Sequence, residues 1–277
     1  MPRTVRVPNQ NADFQLLESL RRNREKRSKS GAFFVEGVRP ISQALAHGWA
    51  FRALAYNADR PPSKWARAVL EQAGAETHFV LPGPLLAQLS DRNEGSELLA
   101  VLNIPADDPA RLPTPPDLRV VVFDRPGSPG NLGSVIRSID ALGGHGLIVL
   151  GHAVDVYDPE VIRASTGSFF AVPVVRLAGA SRLTDWLGGV RDRLGPVQLV
   201  GASEDGALDA SRHDLSGPTV LAMGNETHGL SRALLDLCDA TVQIPMTGSA
   251  SSLNVAAATS ILLYELDRQR RQADGSK

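Results

Sequence analysis

The chain has 277 residues, 43% of them hydrophobic, and 29 Lys and Arg against 30 Asp and Glu give a net charge of −1. That length is long for one domain and comfortable for two. No apolar run approaches the roughly 18 to 20 residues that would span a bilayer, and the opening MPRTVRVPNQNADF lacks the apolar segment of a secretory signal, so no membrane contact and a cytoplasmic setting are expected. Cys238 is the only cysteine and none of the six histidines forms an H-x-x-x-H pair, which excludes an internal disulfide and a cysteine-rich zinc site and leaves metal binding without support.

In chain order, charge is the first uneven feature. Residues 1 to 30 hold eight Arg or Lys against Asp13, Glu18 and Glu25, and RRNREKRSK at 21–29 has six basic residues and one acid. Such a run is either a solvated helix face or a contact for phosphates, through Arg21, Arg22, Arg24 and Lys26. FQLLESLRR is amphipathic, AFFVEG reads as a strand, and RPISQALAHG reads as a helix closed by Gly48. FRALAYN, KWARAVLEQAG, ETHFVL, GPLLAQLS and SELLAVLN continue the alternation, predicting a small α/β domain over residues 1–104. NIPADDPARLPTPPDL at 103–118 has five prolines and three aspartates. Proline fixes φ and removes a donor, so residues 105–118 read as an interdomain linker.

From 119 to 277 the alternation is cleaner. RVVVFD, GLIVLG, AVPVVRL, VQLVGA, TVLAMGNE and ATVQIP are short strands. NLGSVIRSIDALGG, SRLTDWLGGVRDRL, GLSRALLDLCD and SLNVAAATSILLYELDRQR are helices, and the tail RQADGSK reads as frayed. Strands that are continuously apolar have both faces covered, which predicts an α/β domain with a mainly parallel sheet. Ligands of such sheets bind beyond the carboxyl ends of strands, and three segments that leave strands are unusual.

FDRPGSPGNLGSVIR (123–137) is a glycine- and proline-rich turn with Asn131 at an N-cap position and Arg137 about two turns into the helix. Gly127, Gly130 and Gly133 do not make G-x-G-x-x-G, and no phosphate-binding P-loop occurs, so an ordinary nucleotide-binding fold is disfavoured. AMGNETHGLS (222–231) carries Asn225 and Glu226 after a strand ending at Gly224, and an ordinary helix start near Thr227 or His228 is the plain alternative. IPMTGSASSLNVAAATSILLYEL (244–266) sets a small, polar loop against an apolar helix, with Ser252 as the expected cap and Asn254 in the first turn. There Asn254 either bonds the loop backbone or holds a polar ligand or another site residue.

NLGSVIR, GNETHGLS and IPMTGSASSLNVAAATSILLYE, in that order, resemble the three signature motifs of the SpoU–TrmH branch of the SPOUT methyltransferases. DPEVIRASTGSFFAVPV (158–174) resembles the segment between the first two motifs. Residues 12–104, with KRSKSGAFFVEGVRPISQAL, resemble the substrate-binding domain of rRNA-modifying members, itself like a ribosomal protein that binds kinked RNA. The resemblance implies transfer of a methyl group from S-adenosylmethionine to a ribose 2′-hydroxyl of RNA, in rRNA rather than tRNA because of the extra domain. It implies a deep C-terminal trefoil knot and a homodimer. By position, Gly224, Ile244 and Leu253 would give main-chain contacts to the cofactor, and Asn131, Arg137, Glu226, Ser252 and Asn254 would form the reaction site. Arg163 joins Arg137 and the basic run as an RNA contact. One departure is Ser128 where the family usually has an Asp before Pro-Gly-Asn. The competing reading is a catalytically silent RNA-binding protein of this fold, against which Arg137, Glu226 and Asn254 argue.

Overall fold

The computed structural model describes residues 2–90 and 95–275, the side chains of 274 and 275 excepted. The chain divides into two compact units, Met1–Ala106 with Tyr157–Ala171, and Asp107–Val156 with Val172–Lys277. This departs from the expected 1–104, 105–118 and 119–277 in two respects, both with a packing reason.

The first unit begins with β1 (Arg3–Arg6), α1 (Ala12–Arg22) and α2 (Arg24–Ser30). It continues through β2 (Ala32–Glu36), α3 (Val38–Ala46), β3 (Phe51–Asn57) and α4 (Lys64–Gln72) to β4 (Thr77–Leu81), α5 (Gly83–Gln88) and β5 (Leu98–Asn103). Its sheet runs β1-β4-β3-β5-β2, parallel from β1 to β3 and antiparallel at β5 and β2. The basic run is no single helix face. Asn23 ends α1 and caps α2 by accepting from Lys26 N at 3.1 Å. Arg27, only 2% exposed, turns inward and donates to the Leu20 and Arg21 carbonyls at 3.0 and 2.8 Å.

The second unit starts earlier than expected, because the proline-rich stretch is packed. Pro109–Arg111 form a 3₁₀ turn capped by Asp108. Leu112 and Leu118 are buried in this unit's core, and Asp107 pairs with Arg176 at 2.7 Å. Then follow β6 (Arg119–Asp124), α6 (Pro129–Ala141) and β7 (Gly146–Leu150). All five residues of β7 are buried, as a strand covered on both faces requires.

The chain then returns to the first unit. α7 (Pro159–Ala164), capped by Asp158, and a 3₁₀ turn at Ser168–Phe170 pack there. Phe33, Trp49, Tyr157, Phe169 and Phe170 form one aromatic cluster with centroids 4.9–6.0 Å apart, and Trp49 Nε1 donates to the Phe170 carbonyl at 3.0 Å. Apolar residues in this excursion therefore belong to the first core.

β8 (Val174–Leu177), α8 (Ala180–Leu194), β9 (Gln198–Ala202), β10 (Leu208–Asp209), β11 (Thr219–Met223), α9 (Arg232–Leu235), β12 (Ala240–Gln243) and α10 (Val255–Gly275) complete the second unit. Its seven strands lie in the order β10-β12-β9-β11-β6-β7-β8, every pair parallel. α9 is one turn, shorter than the helix expected over 229–239. The tail expected to fray instead continues α10 to Gly275, and its last two residues lie outside the described ones. α10 packs along α6, where Ser138 and Ser260 hydroxyls meet at 2.7 Å.

Candidate active site

β6 and β11 are neighbours at the centre of the parallel sheet. From β6 the chain moves outward to β7 and β8, then crosses to β9 on the other side of β11. The loops leaving β6 and β11 thus diverge from adjacent strands, the position at which open parallel sheets hold ligands.

The loop after β6 is held by both local and long-range contacts. Asp124, 2% exposed, pairs with its neighbour Arg125 through Nε and Nη2 at 3.0 and 3.1 Å and accepts from Ser231 N at 2.6 Å. Arg125 has φ +50°, a left-handed conformation uncommon for a side-chain-bearing residue. Ser128, not Asn131, caps α6: its hydroxyl accepts from Asn131 N at 3.3 Å. Pro129 occupies the first helical position, where no donor is needed. Asn131 is one turn further in, which leaves its side-chain amide available.

The loop after β11 is a tight turn closed by reciprocal backbone bonds between Asn225 and Gly229, 3.0 and 2.9 Å. Asn225 Oδ1 accepts from Thr227 N and His228 N inside it, and Nδ2 reaches the Arg125 carbonyl at 2.7 Å. The plain alternative, a helix start at Thr227 or His228, does not occur, since α9 begins at Arg232. Gly224 is obligatory here, since a Cβ would stand 2.3 Å from the Gly229 carbonyl carbon and 2.4 Å from Leu230 N.

Glu226 joins the two loops. Oε2 accepts from Gly127 N at 2.8 Å, and Oε1 accepts from Ser128 N at 3.0 Å and Asn131 Nδ2 at 3.1 Å. Loss of solvation works to raise the carboxyl's pKa, but the donors of Gly127, Asn131 and Ser128, with the residue's own N–H, outweigh it and hold the group below the ordinary carboxylate range. Asn131 Oδ1 in turn accepts from Asn254 Nδ2 at 2.9 Å. Asn254, not Ser252, caps α10, its Oδ1 accepting from Ala256 N at 2.9 Å. Asn254 is exposed, not buried as its apolar neighbours suggest. Both alternatives for it hold in part: one end satisfies backbone, the other a site residue.

Three of the five expected reaction-site residues, Asn131, Glu226 and Asn254, therefore form one hydrogen-bonded chain. The other two stand apart from it. Arg137 is exposed on α6 and Ser252 is exposed before α10, and among the described residues neither side chain has a hydrogen-bond or ion-pair partner. Of the expected cofactor contacts, Gly224 and Ile244 are half-buried at the ends of β11 and β12, and Leu253 is 38% exposed. From Pro245 to Leu253, among the described residues, no backbone group takes part in an internal backbone hydrogen bond. Polar main-chain groups so placed suit a ligand that is read by backbone. Asp124, Arg125 and Asn225 are structural members of the site that the motif reading did not include. An acid closing an apolar strand, followed by Arg, was the available signal for the first two. Among the described residues no group of three His, Cys, Asp or Glu could hold a metal ion, and no helix is long and apolar enough to cross a membrane.

Residues 118–264 match the SpoU rRNA methylase family, and residues 11–100 match the SpoU L30e-like domain. A 23S rRNA (uridine(2479)-2′-O)-methyltransferase from Streptomyces viridochromogenes is 50% identical over 270 residues, 97% of this chain and 94% of that protein. The crystal structure of the SpoU methyltransferase AviRb from the same organism, in complex with the cofactor AdoMet, has a TM-score of 0.89 at 50% identity, covering 94% of this chain and 98% of that one. An AdoMet-bound rRNA methyltransferase from Sinorhizobium meliloti has a TM-score of 0.84 at 29% identity, covering 96% and 98%.

Proposed function

The chain belongs to the SpoU rRNA methylase family, and from that premise we propose that it transfers a methyl group from S-adenosylmethionine to a ribose 2′-hydroxyl in 23S rRNA. The observation that carries this is the chain Glu226–Asn131–Asn254 between loops leaving adjacent parallel strands, in a protein half identical to a 23S rRNA 2′-O-methyltransferase. The match over residues 11–100 favours rRNA over tRNA as substrate. S-adenosylmethionine supplies a methyl group already activated by a sulfonium leaving group, so the reaction asks for no metal.

The chain's own residues bind, orient and stabilise. Main-chain groups at Gly224, Ile244 and Leu253 would hold the cofactor, in keeping with the lack of backbone–backbone hydrogen bonds over 245–253 among the described residues. Glu226 already accepts three donors from the β6 loop and its pKa is lowered. It therefore acts as a positioning carboxylate rather than a proton acceptor. Asn131, held at both ends of its amide, and Asn254 keep a fixed polar edge beside the reacting ribose. Arg137 is free to turn its guanidinium fork to the target phosphate and to stabilise the developing alkoxide, and the 2′-proton leaves to solvent at this exposed site. A guanidinium is a fixed cation and a poor proton acceptor. Ser252 lines the same loop.

Arg21, Arg22, Arg24, Lys26 and Arg163 recruit RNA. The connection between β12 and α10 is the knotted segment of the family. A second copy covers the exposed Ile261 and Tyr264 of α10, 43% and 53% accessible, making a homodimer that works in the cytoplasm, where its substrate is.

The test is methylation of a 23S rRNA transcript by the purified protein, with chelator present and 2′-O-methyl positions mapped. A single modified ribose is expected. No transfer to any ribose, or no calorimetric binding of S-adenosylmethionine, overturns the reading.

A further inference from the structure

We infer that Lys26, Arg163 and Arg39 form one cationic track on the first unit that grips consecutive phosphates of the RNA backbone. This rests on the RNA substrate proposed above and names the surface that receives it.

The excursion 157–171 makes the track. At its start Asp158 caps α7 and takes the buried Arg27 of α2 at 3.2 Å. At its end Gly167, with φ +100°, lies against α3 so closely that a Cβ would stand 2.9 Å from Gln43 Cγ and 3.4 Å from Arg39 Cγ. α7 has six residues, about 9 Å of axis, so it bridges α2 at one end and α3 at the other. Thr166 N donates to the Arg163 carbonyl at 3.1 Å, which folds the turn carrying Gly167 directly beyond Arg163. Val161 and Ile162 face inward and Arg163 faces outward.

Charge use on these elements is uneven. Arg27 is buried, Lys29 pairs with Glu25 at 2.6 Å and Arg22 with Glu18 at 3.3 Å. Lys26, Arg39 and Arg163 are exposed, and among the described residues no ion pair or side-chain hydrogen bond engages them. Asp158, the carboxylate at the α2 end of the bridge, is committed to Arg27. Glu160 is the exposed acid of α7, and it limits the track to the face that Arg163 presents. Three uncompensated cations on packed elements suit phosphates, which fix position and register without reading sequence.

The experiment compares wild type, Arg39→Ala/Arg163→Ala and Arg39→Lys/Arg163→Lys for binding of a 23S rRNA transcript over a salt series. Loss of two phosphate contacts should lower the slope of log K against log salt by about 1.4 to 1.8, with affinity at low salt down about tenfold. The lysine pair should keep most of the slope. S-adenosylmethionine affinity and melting temperature should match wild type in both variants. An alanine pair with the wild-type slope overturns the track while leaving the methyltransferase reading intact. A wild type that binds the transcript with no salt dependence overturns the substrate reading itself.

Discussion

Glu226 sits where the whole site is braced. Its two oxygens face Gly127 N, Ser128 N and Asn131 Nδ2, so Glu226→Gln would set an amide N–H₂ against backbone donors. Hydrogen bonds to a charged group contribute about 1.5–3 kcal/mol each, and turnover should fall at least tenfold in single-turnover assays with saturating S-adenosylmethionine. The sign of the pH effect follows from the lowered pKa. The unfolded chain binds the proton first, so the brace is fully present above the ordinary glutamate pKa of about 4.3 and is lost only as pH falls through the depressed folded value. Cofactor affinity should thus be unaffected by this group between pH 7 and pH 5. Arg137 makes the opposite case, since it is exposed and, among the described residues, has no hydrogen-bond or ion-pair partner. Arg137→Ala should keep melting temperature and cofactor affinity and lose about 10² or more of turnover at saturating RNA. Arg137→Lys should recover part of it if the residue grips phosphate. If it were the base, lysine would instead move the rate profile to lower pH. Full activity in Arg137→Ala would remove it from the mechanism.

The elements hold this site through two close approaches. At the end of β11, Gly224→Ala would push a methyl into the Gly229 and Leu230 backbone at 2.3–2.4 Å, where nothing can rotate away. Overpacking costs about 1–3 kcal/mol or more, so the melting temperature should drop and cofactor binding should be lost with it. At the far end of α10, Arg270, 6% exposed, donates to the carbonyls of Asp117, Leu118, Ser216 and Gly217 at 2.6–3.1 Å. It ties the helix to the entry of β6 and the entry of β11. Arg270→Leu strands four acceptors, and leaving a buried polar group unsatisfied costs about 1–3 kcal/mol. Urea unfolding should show that loss directly. An unchanged midpoint would mean that water replaces the guanidinium at no cost.

For the whole molecule, the decisive feature is the return of Tyr157–Ala171 to the first unit. Phe33 and Trp49 have Tyr157, Phe169 and Phe170 as ring partners, so a cut at the proline-rich stretch does not release two intact domains. A fragment of residues 1–106 should expose Phe33 and Trp49, bind hydrophobic dye and melt well below the full chain. Adding a 157–171 peptide should restore part of the loss, read by tryptophan fluorescence. A fragment from 111 onward should keep the β6–β11 loops but carry 157–171 without its packing partners. Equal melting of fragment 1–106 and the first unit in the full chain would show the excursion to be dispensable.

What the sequence determined by itself was whatever depends on neighbours along the chain. Continuous apolar runs such as RVVVFD and GLIVLG dictated buried parallel strands, and the three motifs named the family and the loops that make its site. Local chemistry also located Glu226, Asn131 and Asn254 at strand and helix ends. Three outcomes needed the folded chain. Ser128 and Asn254 took the caps expected of Asn131 and Ser252, because which oxygen meets the free N–H groups depends on how the loop enters the helix. Asp124, Arg125 and Asn225 became braces only once β11 lay beside β6, 100 residues away in sequence. Proline in 105–118 signalled a break in regular structure, but Leu112 and Leu118 found a core across the fold. Likewise Phe169 and Phe170 fall within 119–277, the stretch expected to form the second domain. Hydrophobicity states that a side chain is buried and not against what, and that choice was made by the long-range packing of the excursion on Phe33 and Trp49.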